Sequence, residues 1–348
     1  MREYLPSVVG NVALRARLGA ELARGALSHA YILEGPAGCG KHTLARDMIM
    51  ALVCEHRADP SRSLPCMECP TCRKIASGNC PDILTVARPE DKATMGVDVI
   101  RALRDGVAVM PNDLDIKIYV IEEAHTMTTQ AQNALLLTLE EPPPFVLFLL
   151  LCERAEVMLE TIRSRAPVLR MQPVAEQEIS DYLLSPARQS VARAARTLME
   201  ENDEEYAAML RMANGRIGRA LELLEDKKRA PMLARRADAT RVCELLASGT
   251  GSDRLLTHLL AFGKARDEVS ARLALVQEAL RDLIALGHSE SAPLIFFTDR
   301  EQAAELAATF TARALYAYVA ATTEAQTALA ANANVRLALT QYFCRLTA

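Results

Sequence analysis

Gly35, Gly38, Gly40 and Lys41 lie in the stretch GPAGCGKHTLA, residues 35–45, with the spacing of a phosphate-binding loop. Glycines let backbone N–H groups turn inward around phosphate oxygens, and a helix opening after them adds the partial positive charge of its N-terminus. Lys41 would reach the outer phosphates. The residue after the lysine normally offers Mg²⁺ a Ser or Thr hydroxyl, and here it is His42. An imidazole suits a hard, oxygen-preferring cation poorly. Thr43 is one residue further on, about 100° around a helix, so its hydroxyl is expected to point elsewhere. ATP or ADP binding thus remains open, while the magnesium shell is altered.

A hydrolytic site needs a second part, a hydrophobic strand ending in Asp-Glu, whose aspartate supports magnesium and whose glutamate polarises the attacking water. The run Ile116 to Ile121 ends instead in Glu122-Glu123. Glu123 keeps the water-polarising position, vestigially if the metal is lost, and Glu122 is one methylene longer than the expected aspartate.

Cys54, Cys66, Cys69 and Cys72 give C-x11-C-x2-C-x2-C, and four thiolates fill tetrahedral zinc with no position left for water. Such a site is structural. Five of the nine cysteines fall between Cys54 and Cys80, and the odd total fits a local metal site in a reducing compartment better than a disulfide framework. Cys80 is a spare thiol or a substitute ligand. His29, His125 and His288 show no ligand spacing and are expected to be structural.

The elements that must hold these residues follow from pattern. Ala30 to Leu33, Ile116 to Ile121, Phe145 to Leu151 and Pro167 to Met171 read as buried strands separated by helical patterns, the rhythm of a parallel sheet covered by helices. Strand signals stop after about Pro173, and the rest is rich in Ala, Leu, Arg and Glu at helical spacing. Gly215 and the charged stretch Glu225 to Arg236 mark a boundary. Ser248 to Asp253 reads as a turn ending in a helix cap. The Arg-rich stretch Lys227 to Arg236 is expected to be a solvated helix face, the alternative being a contact with DNA or an acidic partner.

With 348 residues, half of them hydrophobic, the chain has material for two or three domains. A formal charge of -4 argues against coating nucleic acid by bulk electrostatics. The N-terminal residues MREYLPSVVGN have no apolar signal core, and the longest apolar run, Phe145 to Cys152, is too short to span a bilayer, so a cytoplasmic location without membrane contact is expected.

The segments SHAYILEGPAGCGK (28–41), GVDVIRALRD (96–105), AQNALLLTLEEPP (131–143) and TIRSRA (161–166) resemble the bacterial DNA polymerase III clamp-loader family. The resemblance is dense over the first half and weaker beyond. It implies an α/β, AAA+ RecA-like parallel-sheet domain over 1–172 with a zinc module inserted at about 54–80, a helical lid over 173–228, and an all-α collar over 229–348. It also implies a hetero-oligomeric ring with gamma/tau-type and delta-type subunits, acting on a sliding clamp and primed DNA.

Within that family, motor subunits carry a lid pattern like Gly-Ser-x-Arg-Asp-Ala-Leu, whose arginine reads the nucleotide. This chain has Gly215 to Leu221 with Gly218 in that arginine's place, and Arg216 and Arg219 are displaced around the helix. Where motors have Thr or Asn after the strand Phe145 to Leu151, it has Cys152-Glu153. Four departures in one site imply a non-motor subunit of the delta-prime type, the alternative being an ATP-hydrolysing gamma/tau-type motor. In the pair Ser164-Arg165 the resemblance implies an arginine finger, Arg165, acting in trans on a neighbour's nucleotide. Ala166 replaces the family's following cysteine, and a local salt bridge is the other reading of Arg165.

Overall fold

In the computed structural model, residues 2–249 and 252–347 are described, and they form two compact units. The first runs to Ser185 and takes in Gly215–Arg219. The second comprises Pro186–Asn214 and the chain from Ala220 onward.

The first unit is built on a five-stranded, all-parallel sheet of β1 (Ala30–Glu34), β2 (Ile83–Val86), β3 (Lys117–Ile121), β4 (Val146–Cys152) and β5 (Val168–Arg170) in the order β2-β3-β4-β1-β5. Every residue of β1, β3 and β4 is buried, as expected where helices cover both faces of a parallel sheet. Side chains alternate between two cores. Tyr31, Leu33, Leu149 and Leu151 pack on one face with Leu44 and Met48, while Ile32, Phe148 and Leu150 pack on the other with Ile100, Leu103 and Leu135.

The helices of this unit are α1 (Val12–Arg24), α2 (Lys41–Val53), α3 (Pro70–Ala76), α4 (Val97–Val107), α5 (Thr129–Glu140), α6 (Glu160–Arg163) and α7 (Glu176–Leu184). Thr128 caps α5 by accepting the Ala131 N–H at 3.2 Å. All four strands read from the sequence are present within a residue or two of their expected ends. The fifth, β2, is a four-residue edge strand with no fully buried position, so its apolar signal is weak.

The second unit is helical throughout among its described residues. Its elements are α8 (Gln189–Glu201), α9 (Asp203–Ala213), most of α10 (Ile217–Leu223), α11 (Asp226–Ser248), α12 (Ser252–Leu260), α13 (Arg266–His288), α14 (Arg300–Ala308), α15 (Ala312–Ala330) and α16 (Val335–Thr347). The charged stretch 225–236 is helical: Glu225 stands at the N-cap position of α11 without a side-chain cap bond, and the rest lies inside that helix. It is not only a solvated face. Arg229 and Arg236 are buried, the first paired with Glu205 and hydrogen-bonded to the Leu223 and Leu224 carbonyls, the second bonded to the Phe296 carbonyl and lying over the Phe296 ring. Composition alone hid this, because arginine stems pack well once their guanidinium groups are satisfied. In the expected 248–253 turn, Gly249 ends α11 in the left-handed region, while Thr250 and Gly251 lie outside the described residues.

Asp282 of α13 is fully buried and accepts the N–H groups of Ile295, Phe296 and Phe297 at 2.7–3.1 Å, fixing the chain that leads into α14. Asp282→Ala strands those donors and is expected to cost roughly 3 kcal/mol. A urea unfolding midpoint unchanged from wild type would show that this carboxylate does not organise the segment.

Candidate nucleotide loop and thiol cluster

The loop after β1 needs its glycines. A side chain at Gly35 would meet Cys39 Sγ at 2.7 Å, and Gly38 and Gly40 have φ of 78° and 103°, in the region that favours glycine. Gly40 leads into α2, so the helix N-terminus faces the loop as the motif requires. The Lys41 ammonium, nine-tenths buried, donates to the Gly35 carbonyl at 2.6 Å and the Pro36 carbonyl at 3.0 Å. A phosphate entering the loop has to compete with those two oxygens for it.

His42 and Glu122, at the two positions where a motor ligates magnesium, are hydrogen-bonded to each other, His42 Nε2 to Glu122 Oε1 at 3.0 Å. Thr43 is half-buried one step further along α2. Glu123 adopts φ 45° and pairs with Arg88 at 3.0 Å, a partly exposed contact of small energetic weight. At the end of β4, Cys152 is fully buried opposite Glu34. Burial and the Glu34 charge push its thiol up to about 12, so a neutral thiol stands where a polar hydroxyl or amide was the family expectation. Glu34 is itself held by Arg170 at 2.7 Å and by the Ala155 N–H at 2.9 Å.

Gly218, at the start of α10, packs against the loop itself. Its N–H donates to the Gly38 carbonyl at 2.9 Å, and a Cβ at 218 would lie 2.8 Å from Gly38 Cα and 3.0 Å from the Gly38 oxygen. No side chain fits there in this arrangement. Arg216 stands near enough for its charge to act on Cys39, whose thiol burial raises while Lys41 and then Arg216 oppose it.

Arg165 follows α6. Its guanidinium donates to the Thr161 carbonyl at 3.0 Å and pairs with Glu140, the last residue of α5, at 2.9 Å, with about a third of the side chain exposed.

Three of the four candidate metal ligands, Cys54, Cys66 and Cys69, converge within 4.8 Å of one another, and the fourth, Cys72, falls outside that group. Cys54, Cys66, Cys69 and Cys72 are all buried, and Cys66 and Cys72 have sulfurs 4.0 Å apart, against about 3.8 Å for two thiolates on one tetrahedral zinc. The Cys69 N–H points to Cys66 Sγ and the Cys72 N–H to Cys69 Sγ, both at 3.4 Å, the support that thiolate ligands receive in metal sites. The chemistry of these donors fits zinc. One neighbour escaped the sequence reading: His56 Nδ1 lies 3.4 Å from Cys66 Sγ, and Cys54, His56, Cys66 and Cys69 present ligand atoms all within 4.8 Å of one another. The signal was there as C-x-H at 54–56. Burial raises the Cys66 thiol, but hydrogen bonds from His56 and from the Glu68 and Cys69 backbone outweigh it and bring it to about 6. Cys72, one of the four expected ligands, and Cys80 are buried outside that grouping, and all nine cysteines are free thiols. No described helix is long and apolar enough to cross a membrane.

Residues 11–175 match the family described as "DNA polymerase III, delta subunit". The tau subunit of DNA polymerase III from Bacillus subtilis is 33% identical over 219 residues, covering 63% of this chain and 37% of that protein. The gamma subunit from Buchnera aphidicola of Schizaphis graminum is 33% identical over 202 residues, covering 58% of this chain and 52% of that one. The chain therefore spans between about a third and about half of the length of these relatives. Among solved structures, a DNA polymerase III gamma subunit-related protein of Thermotoga maritima aligns at TM-score 0.46 and 13% identity, over 96% of this chain and 98% of that one. The family match, over the residues that include the phosphate loop, and the two relatives make this chain similar to DNA polymerase III subunits.

Proposed function

We propose that the chain is a non-motor, delta-prime-type member of a clamp-loader ring, working with gamma/tau-type and delta-type subunits to load a sliding clamp onto primed DNA in the cytoplasm. The observation that carries this reading is the hydrogen bond between His42 and Glu122. The two side chains best placed to hold magnesium satisfy each other: His42 offers nitrogen where the ion prefers oxygen, and it engages one oxygen of the Glu122 carboxylate that could otherwise serve as a ligand. The Glu123–Arg88 pair, the buried Cys152 and the contact of Gly218 with Gly38 add three further losses to the same site. Preorganised contacts of this kind contribute a few kcal/mol apiece to phosphoryl transfer.

In this reading the chain divides into a nucleotide-fold domain over 1–172, a lid over 173–228 and a ring-forming collar over 229–348. Gly35, Gly38, Gly40 and Lys41 retain a phosphate cradle, with His42 and Thr43 beside it, so ATP or ADP can be held without being turned over. Zinc on the thiol cluster has a structural role.

A second reading, an ATP-hydrolysing gamma/tau-type subunit, draws on the names of the matched relatives. Phosphate release by the isolated chain separates the two. Negligible turnover is expected, and His42→Thr alone should not restore it while Gly218 covers Gly38. Steady hydrolysis by contaminant-free protein at roughly 1 per second or faster would favour the motor.

A further inference from the structure

At the end of the sheet opposite the phosphate loop, the first unit has a cavity of about 810 Å³. His29, which precedes β1, Ile116, which precedes β3, and Val146 and Leu147, which open β4, help to line it. The phosphate loop leaves the other end of β1, five residues and about 17 Å away.

The lining has a one-sided charge. Arg2, Arg24 and Arg57 contribute guanidinium groups, and none of the described lining residues is Asp or Glu. Two nitrogen atoms of lining residues, Arg2 Nε and His29 Nε2, are buried without a hydrogen-bond partner among the described residues, although the terminal nitrogens of Arg2 donate to the Arg57 and His56 carbonyls at 2.6 and 3.2 Å. Such groups are costly to bury unpaired, and an anionic oxygen satisfies both. Pro142, Pro143 and Pro144 form part of the wall and have no N–H to offer, so the donors here are side chains. The rest of the lining is largely aliphatic, suited to a ligand with a neutral body behind its charge. The volume lies within the 300–1,000 Å³ range of small-molecule sites.

We infer that this cavity is a second anion site, separate from the phosphate loop, and that it takes a phosphate monoester with a neutral, largely apolar or planar body, of which a nucleoside monophosphate is the simplest. Several guanidinium groups with no carboxylate among them match a dianion better than a single negative charge.

The test is calorimetric titration of the full chain with adenosine monophosphate, inorganic phosphate and adenosine at low salt. Adenosine monophosphate and phosphate should bind, with adenosine at least about tenfold weaker than its monophosphate. Binding should persist in Lys41→Ala, which removes the ammonium of the phosphate loop, and should weaken at least about tenfold in the double variant Arg24→Ser, Arg57→Ser, whose side chains are solvent-accessible. Circular dichroism checks each variant. Should Lys41→Ala fail to fold, the arginine variant in an otherwise wild-type chain decides, because both arginines lie at the far end of the sheet from the loop. Binding lost with Lys41 in a folded protein, binding indifferent to Arg24 and Arg57, adenosine binding as well as its monophosphate, or no heat with any phosphate ligand would each overturn the assignment.

Discussion

A clamp-loader complex reconstituted with Arg165→Ala is expected to assemble normally and to lose about 10³ to 10⁵ in hydrolysis rate at one nucleotide site, the one in the neighbouring subunit. The expectation rests on the proposed ring and on the family resemblance of Ser164-Arg165. In the single chain the guanidinium pairs with Glu140 and the Thr161 carbonyl while staying partly open to solvent. A partly exposed pair of this kind contributes at most about 1 kcal/mol, so exchanging Glu140 for a neighbour's phosphates costs this chain little. Total turnover falls only in part because the other sites are untouched, and clamp loading onto primed DNA is the cleaner measurement. Glu140→Gln serves as the control. If the salt bridge were the whole purpose of Arg165, the two variants would behave alike; a loss confined to Arg165→Ala assigns it to the neighbour. A mutant complex that loads clamps at the wild-type rate would falsify the role in trans.

The second large effect concerns metal. Protein purified without chelator is expected to carry about one zinc per chain, since Cys54, Cys66 and Cys69, completed by His56 or Cys72, give four donors that bind that ion tightly enough to supply on the order of 10 kcal/mol of local folding energy. Cys69→Ser should release it and loosen residues 54–80. The disturbance should reach the N-terminus, because Leu64 exchanges backbone hydrogen bonds with residues 3–5, Leu5 N–H to the Leu64 carbonyl at 2.8 Å and Leu64 N–H to the Glu3 carbonyl at 2.8 Å. Limited proteolysis would then cut both segments faster than in wild type. Substitution of His56 tests the donor set separately: His56→Ala should leave the zinc in place if the four thiolates hold it, and should release it if the imidazole replaces one of them. Far less than stoichiometric metal with all thiols reactive would count against the site.

The sheet was legible in the sequence because its three central strands are apolar at every position but the ends, and the phosphate loop because glycine spacing between a strand and a helix has few other uses. Spacing along the chain likewise pointed to the thiol cluster, of which the structure groups Cys54, Cys66 and Cys69 and leaves Cys72 outside. What sequence did not reveal was pairing across distance. The His42–Glu122 bond joins residues far apart in the chain, as do Glu123–Arg88 and Glu34–Arg170, and no local pattern encodes such partners. His56 was missed because a single histidine beside a cysteine cluster reads as surface until the fold turns it inward. The buried arginines of α11 show the converse, a run of charge whose periodicity looks solvated although two of its members fasten the helix to its surroundings.

The contact between Gly38 and Gly218 has a consequence for restoring the site. On the proposed non-motor reading, a lid arginine at 218 needs an open gap where a Cβ finds 2.8 Å to the Gly38 Cα. With that gap closed and the Gly218 N–H bonded to the Gly38 carbonyl, a lone reversion at 218 would meet backbone rather than nucleotide, while a lone reversion at His42 would add a hydroxyl with no lid to complete the site. Each single step back is thus neutral at best or harmful. On the proposed non-motor reading the two changes lock each other, and restoring catalysis requires both to be reversed together.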